Sequence, residues 1–138
     1  MILDDLVVAT RKRIDREMKE ISLEEMKIEA KKVHEACKDR DFEVEKVLSK
    51  DGINFICEIK KASPSKGVIA ENFPYLDIAK EYEKAGASTI SILTETDYFK
   101  GNINYLREIS EAGVKVPLLR KDFTIDEYMI YQAKVYGA

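Results

Sequence analysis

Residues 53–67 of the chain read Ile53-Asn54-Phe55-Ile56-Cys57-Glu58-Ile59-Lys60-Lys61-Ala62-Ser63-Pro64-Ser65-Lys66-Gly67. The first half is a short apolar run bounded by Gly52 and by polar residues, a pattern typical of a buried strand in a parallel sheet. Glu58 and Lys60 stand two residues apart near its end, so their side chains point to one side of the sheet. Because buried charges cost free energy unless they pair, this spacing indicates a site; the alternative is a strand that ends in solvent at Glu58.

The second half, from Ser63 to Gly67, has the composition of a loop. Pro64 fixes one backbone φ angle, hydroxyls flank it, and Gly67 permits conformations that other residues avoid. A strand, converging charges and a hydroxyl-rich loop in succession are the way α/β proteins build a site at the carboxyl end of a sheet. The stretch therefore predicts a site on such a sheet.

Composition limits the classes of function. The chain has 138 residues, 45% of them apolar, which is enough for one core. Charged residues of both signs are interspersed and the formal net charge is −3, so we expect no nucleic-acid partner. No apolar run approaches the ~20 residues of a membrane span and the first residues do not resemble a signal peptide, which predicts a cytoplasmic protein without a membrane partner. Cys37 and Cys57 lack metal-ligand spacing, so we expect no metal site and two reduced thiols.

The first fifty residues have helical periodicity. Apolar residues recur at helical spacing from Leu3 to Met18, and a second helix is predicted from Ser22, where Ser22-Leu23-Glu24-Glu25 offers a capping box. A third, short helix is expected around residues 42–48. We therefore divide the chain into an N-terminal helical extension, residues 1–50, and an α/β part, residues 51–138; the alternative is that the extension is a separate interaction module.

After Gly67, helices and strands alternate. The pattern predicts helices at 74–85, 104–112 and 122–136, the last with Thr124-Ile125-Asp126-Glu127 as a capping box, and strands at 88–93 and 114–119. Gly86, Gly113 and Gly137 occupy equivalent positions, each after a helix that should lead into a strand. The repeat predicts part of a longer βα array, and unpaired strand edges at 53–59 and 114–119 predict self-association.

Each predicted strand ends in polar residues. Glu58 and Lys60 follow the first strand, Thr94-Glu95 the second, and Arg120-Lys121-Asp122 the third. In a barrel these ends surround one mouth, so Lys60 and Lys121 should be neighbours and should suit an anionic substrate. The alternative for Lys121-Asp122 is an ordinary helix entry, with Asp122 near the positive end of the helix dipole.

Three motifs resemble those of indole-3-glycerol-phosphate synthase. They are Glu58-Ile59-Lys60-Lys61-Ala62-Ser63-Pro64-Ser65-Lys66-Gly67, Ser91-Ile92-Leu93-Thr94-Glu95-Thr96-Asp97-Tyr98-Phe99-Lys100-Gly101 and Leu119-Arg120-Lys121-Asp122-Phe123. The resemblance covers the whole chain in order, including the helical extension. It implies an α/β fold, a partial (β/α)8 TIM barrel of three βα units with an N-terminal helical extension.

The resemblance also implies a cofactor-free ring closure in tryptophan biosynthesis. The family converts 1-(2-carboxyphenylamino)-1-deoxyribulose 5-phosphate, an anionic sugar phosphate, to indole-3-glycerol phosphate, CO2 and water. Lys121 is implied as the general acid. Lys60 is implied to contact the substrate carboxylate and to assist decarboxylation or dehydration, and Glu58 to orient both lysines and balance their charge. The implied substrate-binding residues are Ser63 for the phosphate and Leu93 and Phe99 for the anthranilate ring.

The family's later strands carry further catalytic carboxylates, an asparagine and phosphate-binding loops that this sequence lacks. We therefore expect the chain to be an N-terminal part of the synthase with weak or no activity by itself. The second hypothesis is a non-catalytic, self-associating partial-barrel module in which the lysines are remnants. A third, another phosphosugar barrel such as an isomerase, fits the motifs less well.

Overall fold

The computed structural model describes residues 2–138, and its main elements follow one another as the sequence predicts. In chain order they are α1 (Ile2–Glu20), α2 (Leu23–Ala36), a 3-10 turn (Lys38–Arg40), α3 (Glu43–Leu48), β1 (Ile56–Ile59), β2 (Ala62–Ser63), β3 (Gly67–Val68), α4 (Tyr75–Lys84), β4 (Thr89–Leu93), α5 (Asn104–Glu111), β5 (Leu118–Lys121) and α6 (Glu127–Val135). No helix in this part of the chain is long and apolar enough to span a bilayer.

The chain packs as two compact units. One contains the described residues up to Asp41 together with Phe123–Tyr136, and the other contains Phe42–Asp122 with Gly137–Ala138. The boundary at residue 50 between the helical extension and the α/β part stays a prediction.

The first unit is helical, and α2 packs along α6. Its α2 helix starts at Ser22 with the predicted capping box: the Ser22 hydroxyl accepts from the Glu25 N–H, and the Glu25 carboxylate accepts from the Ser22 N–H. This reciprocal pair satisfies two N–H groups that a helix start leaves without intrahelical partners. The apolar cluster at the centre of the unit consists of Ile14, Met26, Tyr128 and Met129.

The second unit contains a three-stranded parallel sheet, which confirms the α/β class. The strand order is β1-β4-β5, so β4 lies in the middle and all five of its residues are buried. Helices α4 and α5 contact each other, and Leu106 and Ile109 of α5 are fully buried. Parallel strands require such crossover helices, which is why the helical and strand patterns alternate in the sequence.

The glycines that follow α4, α5 and α6 share one conformation. Gly86, Gly113 and Gly137 have φ values of +91°, +87° and +103°. Only glycine adopts this left-handed region without strain, and it ends a helix by turning the chain away from the helix axis. The equivalence of these three positions in the sequence is therefore confirmed.

Two predicted strands start in the wrong place. β1 starts at Ile56 rather than at Ile53, and β5 spans Leu118–Lys121 rather than residues 114–119. For β5 the physical reason is Pro117, which lacks the N–H that a ladder needs and supplies only its carbonyl, to the Ile90 N–H. Arg120 and Lys121 therefore belong to the strand itself rather than to the loop after it.

The predicted start of the last helix is also wrong. α6 starts at Glu127 rather than at Asp122, and its N-cap is Asp126, whose carboxylate accepts from the Tyr128 N–H, rather than Thr124. Asp122 is instead bound in the side-chain cluster described below. The loop predicted from Ser63 to Gly67 contains more order than expected, because β2 and β3 form a small antiparallel hairpin there.

Candidate active site

One face of the sheet carries the predicted catalytic residues. In the strand register, Glu58 is paired with Ser91 and Ser91 with Leu119, which forms one row across the sheet. The next row on this face, two residues toward the carboxyl ends, contains Leu93 and its partner Lys121. Lys60 belongs to the same row, because Lys60 and Leu93 directly follow Ile59 and Ile92, which are paired. Residues paired across parallel strands point to the same side, so both rows share one face.

The two lysines therefore lie on the same side of the sheet, with β4 between them. Neighbouring strands are spaced by about 4.8 Å, which puts the Cα atoms of Lys60 and Lys121 about 10 Å apart. The residues of β4 are buried on both faces, and the faces differ at the outer strands: Ile59 on the opposite face is 2% exposed, whereas Leu119 on the face of the lysines is 38% exposed. The lysines thus project from the face that we call the open face, defined by Glu58, Lys60, Ser91, Leu93, Leu119 and Lys121.

Glu58 and Lys60 form an ion pair. The Lys60 Nζ atom lies 3.0 Å from Glu58 Oε1, and the two side chains are 34% and 33% exposed. A pair this accessible to water contributes only about 1 kcal/mol or less, so the lysine can exchange this carboxylate for another at little cost. The predicted pairing of these two charges is present, whereas their catalytic roles stay predictions.

The residues that flank Lys121 are fixed by a buried cluster behind the sheet. Arg120 Nη2 lies 3.2 Å from Asp122 Oδ2, with side chains that are 5% and 0% exposed. The Thr94 hydroxyl donates to the same Asp122 oxygen at 2.6 Å, and Arg120 Nε donates to Thr94 Oγ1 at 3.1 Å. The Thr94 N–H also donates to the Lys121 carbonyl at 3.0 Å. The backbone of Lys121 is therefore fixed by its own hydrogen bond and by the contacts of Arg120 before it and Asp122 after it. Sequence reasoning missed this cluster, because the polar residues at strand ends do not reveal which face each one occupies.

The loop after β4 is organised by Glu95, which is 1% exposed. Its carboxylate accepts from the N–H groups of Asp97, Tyr98 and Phe99 at 2.9, 2.8 and 2.9 Å. A carboxylate that accepts three backbone hydrogen bonds orders the loop and fixes the backbone that carries Phe99. In the sequence, Glu95 shows only as a polar residue at a strand end, and nothing in the local pattern assigns it a role.

The same loop approaches β4 closely at Gly101. The Gly101 N–H donates to the Glu95 carbonyl at 2.7 Å. A Cβ atom added at Gly101 would overlap with the backbone carbonyl of Leu93, so only glycine fits here. Leu93 itself is 4% exposed, whereas Phe99 is half-buried.

Ser63 lies in the β2-β3 hairpin. Its hydroxyl accepts from the Lys66 N–H at 3.3 Å and lies 3.5 Å from the Ser65 hydroxyl. The Lys61 carbonyl closes the base of the hairpin by accepting from the N–H groups of Ile69 and Ala70. Two hydroxyls are thus held side by side in an accessible turn, and a phosphate contact at Ser63 stays a prediction.

The chemistry available on the open face is that of ammonium, carboxylate and hydroxyl groups. Across residues 2–138 no three His, Cys, Asp or Glu side chains cluster in a way that could hold a metal ion. Cys37 and Cys57 are free thiols. Groups of these types bind anions and transfer protons.

Comparison with known proteins shows which family the chain resembles. The sequence pattern of the family described as indole-3-glycerol phosphate synthase matches residues 3–138. The chain is 50% identical over its whole length to the indole-3-glycerol phosphate synthase of Ruminiclostridium cellulolyticum and covers 52% of that protein. The synthases of Lacticaseibacillus casei and Endomicrobium trichonymphae are 54% and 52% identical over the whole chain, which again covers 52% of each.

The chain therefore spans about half the length of the curated relatives it matches. The family domain is a TIM barrel, and the three βα units described above are part of such a barrel. Identity near 50% across the complete chain, together with the match of the family pattern, shows that the chain belongs to the indole-3-glycerol phosphate synthase family.

Proposed function

We propose that the chain carries the N-terminal half of the active site of an indole-3-glycerol phosphate synthase. The reaction converts 1-(2-carboxyphenylamino)-1-deoxyribulose 5-phosphate to indole-3-glycerol phosphate with loss of CO2 and water, a step of tryptophan biosynthesis in the cytoplasm. The observation that supports this most directly is that Lys60, Lys121 and Glu58 share the open face near the carboxyl ends of the parallel strands, where Glu58 pairs with Lys60.

Ring closure needs an acid beside the ketone oxygen and a cation beside the carboxylate, on either side of the new carbon–carbon bond. The ring carbon that bears the carboxylate attacks the ketone carbon, and the ketone oxygen takes up a proton as the new carbon–carbon bond forms. Lys121 is the general acid for that proton, a contribution typically worth a factor of 10²–10⁴ in rate. Lys60 pairs with the substrate carboxylate that later leaves as CO2, and Glu58 orients Lys60 in the free protein.

The remaining proposed contacts hold the substrate in place. Ser63 donates its hydroxyl to the phosphate, and the adjacent Ser65 hydroxyl supports the same position. Leu93, in the row between the two lysines, and Phe99, on the loop ordered by Glu95, line the pocket of the anthranilate ring. No cofactor takes part in this proposal, since general acid chemistry and electrostatics suffice for the step.

A complementation assay tests the function. The purified chain is mixed with a separately expressed second half of the Lacticaseibacillus casei relative, and formation of the indole product is followed by fluorescence. We expect weak or no turnover by the chain alone and turnover in the mixture, because half of a site lacks most of the positioning that supplies the rate.

Lysine variants in the mixture complete this test. Lys121→Ala should lower kcat at least 100-fold, whereas Lys115→Ala, a matched exposed lysine that precedes β5, should leave it unchanged. Turnover by the chain alone near that of a complete synthase would contradict the expectation of an inert half. Equal kcat values for the two variants would contradict the role of Lys121.

A second candidate function is a non-catalytic, self-associating module. Among residues 2–138, β1 and β5 each pair with β4 only, and Ile56 and Leu119 on the strands are 53% and 38% exposed. Open edges and apolar surface favour pairing with another copy. Light scattering over a concentration series tests this candidate, and a monomer at every concentration would count against it.

A further inference from the structure

Ser91 is a buried polar residue on the open face. Its side chain is in the middle of the row between Glu58 and Leu119, and the residue is 3% exposed. Its hydroxyl oxygen has no hydrogen-bond partner among residues 2–138. Burying an unpaired hydroxyl costs free energy. An unpaired hydroxyl in the centre of the sheet therefore needs an explanation, and one explanation is a second state of the protein in which this hydroxyl forms a hydrogen bond.

The nearest ionised group in the register is Glu58. Strand pairing puts the Cα atoms of Glu58 and Ser91 about 4.8 Å apart with both side chains on one face. In the free protein the Glu58 carboxylate leans toward the next row, where its Oε1 atom pairs with Lys60 at 3.0 Å. Because Glu58 and Ser91 are paired in register, a rotation about the Glu58 side-chain torsions would move the carboxylate from Lys60 toward Ser91.

Substrate binding favours such a movement. The inference rests on the proposed function, in which Lys60 pairs with the substrate carboxylate. Two carboxylates beside one ammonium group repel each other, so the arrival of the substrate weakens the pairing of Glu58 with Lys60. The Ser91 hydroxyl, in the same row as Glu58 and without a partner among residues 2–138, is a donor that the released carboxylate can use.

We infer that Ser91 is a positioning residue: its hydroxyl donates to the Glu58 carboxylate once the substrate carboxylate has displaced Glu58 from Lys60. Glu58 then alternates between two partners, Lys60 in the free protein and Ser91 in the complex. Ser91 does not touch the reacting atoms; it lowers the cost of freeing Lys60 for the substrate.

Paired probes test this inference on the intact chain. The first probe is 1-(2-carboxyphenylamino)-1-deoxyribitol 5-phosphate, the reduced form of the substrate, and the second is the same compound without the carboxylate. Binding of each is measured by titration of the ¹⁵N-labelled chain, for the wild type, for Ser91→Ala and for the matched control Ser110→Ala on α5. The thermal midpoint of each variant is recorded to establish folding, and Ser91→Ala should raise it because a buried unpaired hydroxyl is removed.

We expect Ser91→Ala to weaken binding of the carboxylated probe about tenfold, the value of a hydrogen bond to a charged group, and to leave binding of the other probe unchanged. Ser110→Ala should bind both probes like the wild type. In a Glu58→Gln background no carboxylate is displaced, so Ser91→Ala should change the affinity for the carboxylated probe less than twofold.

Three other outcomes overturn the inference. If Ser91→Ala binds both probes as the wild type does, Ser91 has no role, and the proposed function is unaffected. If Ser91→Ala lowers the affinity for both probes equally, or lowers the affinity for the carboxylated probe just as much in the Glu58→Gln background, the hydroxyl acts without Glu58. If the wild type binds neither probe even in the mixture with the second half of the Lacticaseibacillus casei relative, the proposed function falls together with the inference.

Discussion

The buried carboxylate of Glu95 fixes the loop that follows β4. It accepts three successive backbone N–H groups, those of Asp97, Tyr98 and Phe99, and water has almost no access to it. We expect Glu95→Ala to lower the free energy of unfolding by about 2–4 kcal/mol, because it leaves these donors unpaired. Urea denaturation followed by circular dichroism measures this loss.

The control is Glu71→Ala, which removes an exposed carboxylate from the same unit and should change the free energy of unfolding by less than about 0.5 kcal/mol. Equal stabilities of the Glu95 and Glu71 variants would show that the loop orders itself without the carboxylate. The sequence shows Glu95 only as a charge after a strand, and a charge in that place is usually solvated. Its burial depends on how the following loop folds back, which no local pattern encodes.

Tyr75 offers a titration that reports on a single hydrogen bond. Its hydroxyl donates to the Glu108 carboxylate, and this bond raises the pKa of Tyr75 to about 12. The bond stabilises the neutral phenol, so its contribution to stability is complete below the ordinary tyrosine pKa near 10 and is lost as the pH rises through 12.

We expect Glu108→Gln to return the pKa of Tyr75 toward 10, because the charged acceptor is removed while the side-chain shape is kept. The measurement is ultraviolet absorbance of the phenolate between pH 9 and pH 13, with Tyr75→Phe identifying the signal. An unchanged titration curve in Glu108→Gln would mean that the carboxylate does not bind Tyr75.

The N-terminus of α6 is held by its N-cap residue, Asp126. The Asp126 carboxylate accepts from the Tyr128 N–H at 3.0 Å and pairs with Arg11 at 2.9 Å, and these two contacts lower its pKa. Asp126→Ala should cost about 1 kcal/mol at pH 7 through the lost cap. Asp126→Asn keeps the cap acceptor and loses only an exposed ion pair, so it should cost less than about 0.5 kcal/mol.

The pH dependence of that difference has a definite sign. Because the pKa of Asp126 is lower in the folded protein than in the unfolded chain, its contribution is present above the ordinary value of 3.8 and is lost as the pH falls through the folded value. The wild type should therefore lose stability relative to Asp126→Asn when urea denaturation is repeated from pH 6 down to pH 2. Parallel stability curves for the two proteins would contradict the lowered pKa.

Elements with local signals could be predicted from the sequence, and those fixed by distant contacts could not. The Ser22 capping box and the glycines after α4, α5 and α6 act within one helical turn, so residue type alone reveals them. The start of β5 depends on which residues can pair with β4, and the start of α6 on Asp122 binding Arg120 instead of capping a helix. In the site, the two-residue spacing of Glu58 and Lys60 predicted their shared side, whereas the burial of Ser91 depends on both neighbouring strands.

The open face leads to a prediction about association of the chain in solution. Leu119, 38% exposed, is on β5, which pairs with β4 alone in the part of the chain that the structure describes. An apolar side chain on an open sheet favours association, whereas a charge on such a sheet opposes it. If copies of the chain associate through this face, Leu119→Lys should lower the average mass measured by light scattering.

Ile28→Lys is the matched control, because Ile28 is a similarly exposed apolar residue, 56% accessible, on a helix that offers no strand edge. We expect sedimentation at increasing concentration to show associated species for the wild type and for Ile28→Lys, and a shift toward monomer for Leu119→Lys. Leu119 lies on the open face and Ile28 lies on a helix outside it, so only Leu119→Lys places a charge in the proposed contact and should change the mass. The same loss in both variants would mean that net charge, rather than the open face, controls association.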